Sequence, residues 1–187
     1  MKESRLPGYI QEVLASLENL SENVVEEAYL EIVSAIEGRR QIFVVGNGGS
    51  AAIASHFVTD LVKSANFIEK PILIQSLVDN ISLLSATAND FSYNDVFAWQ
   101  LKNFACSNDL LFAISSSGNS SNILKAAHTA SEKKMRIISL SGFDGGEIAN
   151  LADIPMVTRS TPGNYGPVED AHSIICHFIA RRLRLRH

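Results

Sequence analysis

Apolar positions along the chain follow two successive rhythms. Up to about residue 40 they recur at helical spacing, with Ile10, Val13, Leu14, Leu17 and Leu20 in one stripe and Val25, Tyr29, Ile32, Val33 and Ile36 in a second. Ser21 stands where it can cap the second helix, and Gly38 followed by Arg39 and Arg40 closes it. From residue 41 short apolar runs alternate with helical stretches. The runs are 41–45 (QIFVV), 71–77 (PILIQSL), 109–114 (DLLFAI), 136–140 (RIISL) and a weaker one at 154–158 (IPMVT). Helices are predicted over 51–63, 81–88, 95–105, 121–133 and from about Val168 onward. Strands apolar on both faces and joined by helices need a parallel sheet covered on both sides. The predicted fold is therefore α/β, a doubly wound five-stranded parallel sheet of flavodoxin-like type. It forms one domain over 1–187, with 1–40 as a helical N-terminal extension that packs on the flank or against another subunit.

Composition narrows the class. The chain has 187 residues, 46% hydrophobic and 19% charged, enough to bury the core of one domain and too apolar for a disordered chain. No apolar run is long enough to span a bilayer, and the first ten residues lack a signal-peptide core. A soluble, cytoplasmic protein without a membrane partner is expected. The net charge of −4 argues against a nucleic-acid partner. The closing RRLRLRH reads as the solvated end of a helix, favoured by its dipole. Cys106 and Cys176 have no metal or redox spacing and are expected to be buried free thiols in a reducing compartment.

In such sheets ligands bind beyond the carboxyl ends of the strands, where the strand order reverses. The loops after the first and third strands are Gly46-Asn47-Gly48-Gly49-Ser50 and Ser115-Ser116-Ser117-Gly118-Asn119-Ser120-Ser121, each leading into a helix. Small residues, hydroxyls and free N–H groups at a helix N-terminus suit an anion, and a sugar phosphate in particular. The alternative is a tight turn with serine as helix cap. Gly46, Gly48 and Ala51 also fit a relaxed dinucleotide pattern, but the acid that should end the second strand is missing, and there is no P-loop lysine.

His56 and Asp60 are four apart on the first crossover helix, one above the other. They can ligate a metal, act as adjacent acid–base groups, or form a surface pair. The C-terminal helix adds Glu169, Asp170, His172 and His177, of which Glu169 and His177 project to similar sides. His177 lies in an apolar run, where it is either a satisfied core histidine or part of a cluster of two histidines and two carboxylates that would suit zinc or a similar divalent ion. Asp90, in the polar stretch 87–95, can grip sugar hydroxyls or cap a helix, and Asp95 reads better as a cap.

At these residues the chain resembles the phosphoheptose isomerase family of sugar isomerase (SIS) domains, nearly end to end. The likeness is carried by GNGGS with His56 and Asp60, by ANDFSYNDVF, SSSGNSSNI and SGFDGGEIANLAD, and by VEDAHSIICH. The resemblance implies a homotetramer that converts sedoheptulose 7-phosphate to D-glycero-D-manno-heptose 7-phosphate, towards the heptose of cell-surface polysaccharide such as lipopolysaccharide. It places the phosphate at Ser115, Ser116, Ser117 and Ser120, and the sugar at Asn47, Gly48, Gly49, Ser50, Asn89 and Asp90, with Asp60 and Glu169 also touching substrate. It implies divalent-metal ligands, for zinc, at His56, Asp60, Glu169 and His177, and an acid–base pair of Asp60 and His177. The family commonly has Glu where Asp60 stands and Gln where Glu169 stands, and a family aspartate is replaced within 163–167. SIS folds also serve as sugar-phosphate sensors and assembly factors. The alternatives to a heptose isomerase are therefore a non-catalytic binding protein and an isomerase of another sugar phosphate.

Overall fold

Residues 5–68 and 70–186 are described by the computed structural model. Helix α1 (Leu6–Glu18) carries Pro7 in its first turn, where the missing N–H forfeits no helical hydrogen bond. Helix α2 (Glu22–Glu37) follows Ser21, which occupies the cap position without a side-chain cap bond. Its stop differs in detail from the expected one. Gly38 keeps φ −78° and Arg39 takes the left-handed turn at φ 53°.

The alternating part forms β1 (Ile42–Val45), α3 (Gly48–Ile68), β2 (Ile74–Ser76), α4 (Ile81–Asp90), α5 (Ala98–Phe104), β3 (Leu110–Ser115), α6 (Ser121–Glu132), β4 (Arg136–Phe143), α7 (Gly146–Leu151), β5 (Ile154–Arg159) and α8 (Tyr165–Arg184). The sheet order is β2-β1-β3-β4-β5, with every pairing parallel. The predicted doubly wound five-stranded α/β sheet is the one observed. Alternate strand residues feed two cores. Val44, Phe112, Ile138 and Leu140 meet α2, α3 and α8 on one face, and Phe43, Leu111, Ala113 and Ile137 meet α5, α6 and α7 on the other. Each such fully buried large side chain contributes about 1.5–3 kcal/mol of transfer free energy.

Several local expectations are corrected. The helix predicted over 95–105 splits into a 3₁₀ turn at Tyr93–Asp95 and the shorter α5. Asp95 is not a helix cap: it takes a bond from Ser92 Oγ at 2.7 Å and pairs with Lys125 Nζ at 2.6 Å, which holds its carboxyl below the ordinary range. Cys106 is exposed and only Cys176 is buried. The arginine-rich end is not simply solvated either. Arg182 pairs with Glu26 and lies 4.1 Å from the Tyr29 ring centre, Arg184 reaches Asp60, and Arg186 reaches Glu37 at 2.9 Å. Helix α7 was not foreseen at all. Among the described residues, no helix is long and apolar enough to cross a membrane.

Candidate functional site

The strand order reverses between β1 and β3, so their following loops lie side by side at the N-termini of α3 and α6. A reciprocal amide pair ties them together. Asn47 Nδ2 donates to Asn122 Oδ1 at 2.8 Å, and Asn122 Nδ2 donates to Asn47 Oδ1 at 2.9 Å. Tyr93 Oη adds a bond to Asn47 Oδ1 at 3.1 Å.

The loops enclose a cleft of about 140 Å³ lined by Asn47, Ser50, Ser115, Ser116, Ser117, Ser120, Tyr165 and Glu169. Ser116 Oγ is buried and has no hydrogen-bond partner. A buried hydroxyl with nothing to bond is costly unless a ligand answers it. Ser120 occupies the cap position of α6 but makes no side-chain cap bond, so helix capping does not account for its hydroxyl. The donors here are hydroxyls, side-chain amides and helix N-termini, with no lysine or arginine in the lining.

Helices α3 and α8 pack side by side and run the same way. At the cleft end, the Glu169 carboxylate lies against the backbone of Gly49 so closely that a Cβ at position 49 would collide with it. Further along the pair, a second cleft of about 170 Å³ is lined by Ala52, Ile53, His56, Phe57, Ser173, Cys176 and His177. Here His56 Nε2 is 3.6 Å and His177 Nε2 3.7 Å from Asp60 Oδ2, and the two rings meet edge to face with centres 4.9 Å apart. One ligand atom from each of the three residues lies within 4.8 Å of the others. Burial, with the nearby Asp60 charge, pushes the Cys176 thiol far up, so it stays protonated beside this group.

The donor set fits a divalent metal. Two imidazole nitrogens and one carboxylate oxygen are a zinc-type donor set, and their 3.6–3.7 Å spacings to Asp60 would have to close to about 3.3 Å for bonds of about 2.0–2.1 Å at tetrahedral angles. Glu169, expected as a fourth ligand, lies outside this group of three and lines the serine-rich cleft instead. His177 is no core histidine: its side chain is 54% exposed, and His172 is the wholly buried one.

Other expected residues are placed as follows. Gly48 opens α3 at φ 51°, a left-handed angle suited to glycine. Asn89 and Asp90 end α4, exposed and bonded to each other at 2.9 Å, and neither lines the serine cleft. Tyr93, from the same segment, reaches it through Asn47. Sequence reasoning missed Asn122, Tyr93, Tyr165 and Arg184. The signal for Asn122 was its place just inside a helix that follows an anion-type loop. Tyr165 and Arg184 carried no local signal.

Comparison with known proteins identifies the family and the fold. The SIS domain profile matches residues 8–142. The phosphoheptose isomerase of Helicobacter pylori is 37% identical over 166 residues, covering 88% of this chain and 84% of that protein. That of Mycobacterium tuberculosis is 34% identical over 181 residues, covering 94% and 90%. The solved structure of phosphoheptose isomerase GmhA from Neisseria gonorrhoeae superposes with a TM-score of 0.85 at 26% identity over 96% of each chain. With a profile spanning most of its length and relatives aligned nearly end to end, the chain belongs to the SIS domain family, in its phosphoheptose isomerase branch.

Proposed function

We propose that the chain is an aldose–ketose isomerase that converts sedoheptulose 7-phosphate to D-glycero-D-manno-heptose 7-phosphate. The observation that carries this reading is the convergence of His56, Asp60 and His177 on the same helix pair whose other end meets the serine-rich cleft. The phosphate sits in that cleft, taking hydroxyl bonds from Ser115, Ser116, Ser117 and Ser120 and facing the N-termini of α3 and α6. Asn47, Gly48, Gly49 and Ser50 border the sugar. Glu169 accepts from sugar hydroxyls, and Asn89 and Asp90 take part only if the α4 end moves inward.

His56, Asp60 and His177 would hold a divalent metal, zinc by donor type, which supplies polarisation of the substrate carbonyl. The proton chemistry belongs to the side chains. Asp60 takes a proton from C1 of the ketose, C1 and C2 become doubly bonded, and His177 delivers a proton to O2. His177 then removes the O1 proton as C2 receives the proton held by Asp60, leaving the C1 aldehyde. A binding protein without turnover would have no use for this pair, which favours the enzyme over the sensor. The reading includes a cytoplasmic homotetramer, supported by apolar side chains left exposed on α1 (Leu6, Ile10, Leu14) and α8 (Ile174, Phe178).

The test is turnover of sedoheptulose 7-phosphate by purified protein, with and without chelator and restored zinc. His177→Asn is expected to lower kcat by about 10²–10⁴-fold, the range of one acid–base group, with KM nearly unchanged. Equal loss in both constants would remove His177 from the chemistry. Turnover that survives complete metal removal would keep the isomerase and discard the metal. Turnover of another ketose phosphate alone would reassign the substrate.

A further inference from the structure

Asp60 has a neighbour that neither the serine cleft nor the proton chemistry uses. Its Oδ2 faces the two imidazoles, while its Oδ1 lies 3.4 Å from Nη2 of Arg184. Arg184 stands seven residues after His177 on α8, two turns further along the face turned to α3. Its Nε donates to Ser64 Oγ at 3.3 Å, and that hydroxyl donates at 2.8 Å to the backbone carbonyl of Asp60. The guanidinium is thus held at two points on α3, one turn apart. The Asp60 side chain is 13% exposed and that of Arg184 36%, so the pair is partly withdrawn from solvent.

A carboxylate with both oxygens free can turn and bind a cation through either or both. With Oδ1 engaged by a guanidinium, Asp60 offers one oxygen, in one orientation, to the histidines. Three single-atom donors leave coordination positions open for substrate oxygens, whereas a two-oxygen carboxylate would fill one of them. The fixed positive charge also opposes any cation that shares the same carboxylate, because like charges repel strongly where water is partly excluded. Arg181 and Arg182 share the last turn of α8 and its dipole, and Arg182 is engaged by Glu26.

We propose that Arg184 is a positioning residue for this site: it holds Asp60 so that Oδ2 alone faces His56 and His177, and its charge keeps cation affinity below that of the three ligands by themselves. The proposal rests on the reading of these three residues as a metal and acid–base site.

The experiment pairs zinc affinity of the metal-free protein, measured by competition with a chromogenic chelator, with steady-state kinetics. Arg184→Gln keeps length and polarity but loses the charge. It is expected to bind zinc about tenfold more tightly, as loss of a nearby like charge allows. Its kcat is expected to fall about tenfold at unchanged KM, since an unclamped Asp60 is misplaced for proton transfer. Arg184→Lys keeps the charge and is expected to hold wild-type zinc affinity. A residue that merely finishes the helix would lower the melting temperature without tightening zinc. Triad-dependent zinc binding that Arg184→Gln leaves unchanged or weakens overturns the positioning proposal alone. Equal zinc affinity in the wild type and His177→Asn overturns the metal reading and this proposal with it.

Discussion

His172 is wholly buried, with Nε2 3.0 Å from Thr158 Oγ1. Thr158 gives its own proton to the Ser141 carbonyl at 3.1 Å, so the ring must carry a proton on Nε2 and donate it. Nδ1 has no partner, and burial pushes the pKa down from 6.5 to about 4, with the Ser141 backbone pulling weakly the other way. The folded chain therefore refuses a proton that the unfolded chain accepts below about pH 6.5. Stability is expected to fall as pH drops through the window between 6.5 and 4, by about 2 kcal/mol from this group between pH 7 and pH 5. Urea unfolding of the wild type and of His172→Gln at both pH values checks this. The variant should lose the extra pH dependence, and parallel behaviour would mean the ring takes up a proton in the fold. The apolar run around His177 left it either a core histidine or part of a metal-type cluster, and in the fold its neighbours Ile174 and Phe178 are exposed. Apolar neighbours in a helical sequence do not reveal which of them face inward.

Helix α1 is held across the start of α8 by polar contacts. Tyr9 Oη donates to Asp170 Oδ2 at 2.6 Å, and Asn164 Nδ2 donates to Glu12 Oε2 at 2.7 Å. The Asp170 bond is the main reason the Tyr9 phenol is pushed up to about 12. Because Tyr165 and Glu169 of α8 line the serine cleft, the first helix braces an element that builds the site. Tyr9→Phe removes one hydrogen bond to a charged group and should make α1 amides exchange about fivefold faster, the effect of roughly 1 kcal/mol. Hydrogen exchange by mass spectrometry would show it, and unchanged α1 exchange would mean that other contacts hold the helix. The boundaries of α3 and α8 differ from the expected ones. Each begins about three residues before its expected start, at Gly48 and Tyr165, because residues read as loop complete the first turns.

The chain as a whole leaves Ile174 and Phe178 exposed on α8, next to His177. Covering this patch with another copy of the chain is part of the proposed tetramer. Phe178→Glu is expected to shift the protein towards smaller species in light scattering while its far-ultraviolet circular dichroism stays native. An unchanged mass would place the subunit contacts elsewhere. The parallel sheet and its two cores follow from alternation visible in the sequence: five apolar runs, helices between them, and glycine- or serine-rich loops after the first and third. Periodicity and turn chemistry are local properties, so the sequence alone determined the fold class, the two anion-type loops and the pairing of His56 with Asp60. Joining residues far apart in the chain was left to the tertiary structure. It brought His177 and Arg184 to Asp60, set Glu169 against Gly49 in the serine cleft rather than with the histidines, and joined Asn47 to Asn122. The physical reason is that the register between two packed helices depends on how their side chains interlock, and no local spacing encodes it.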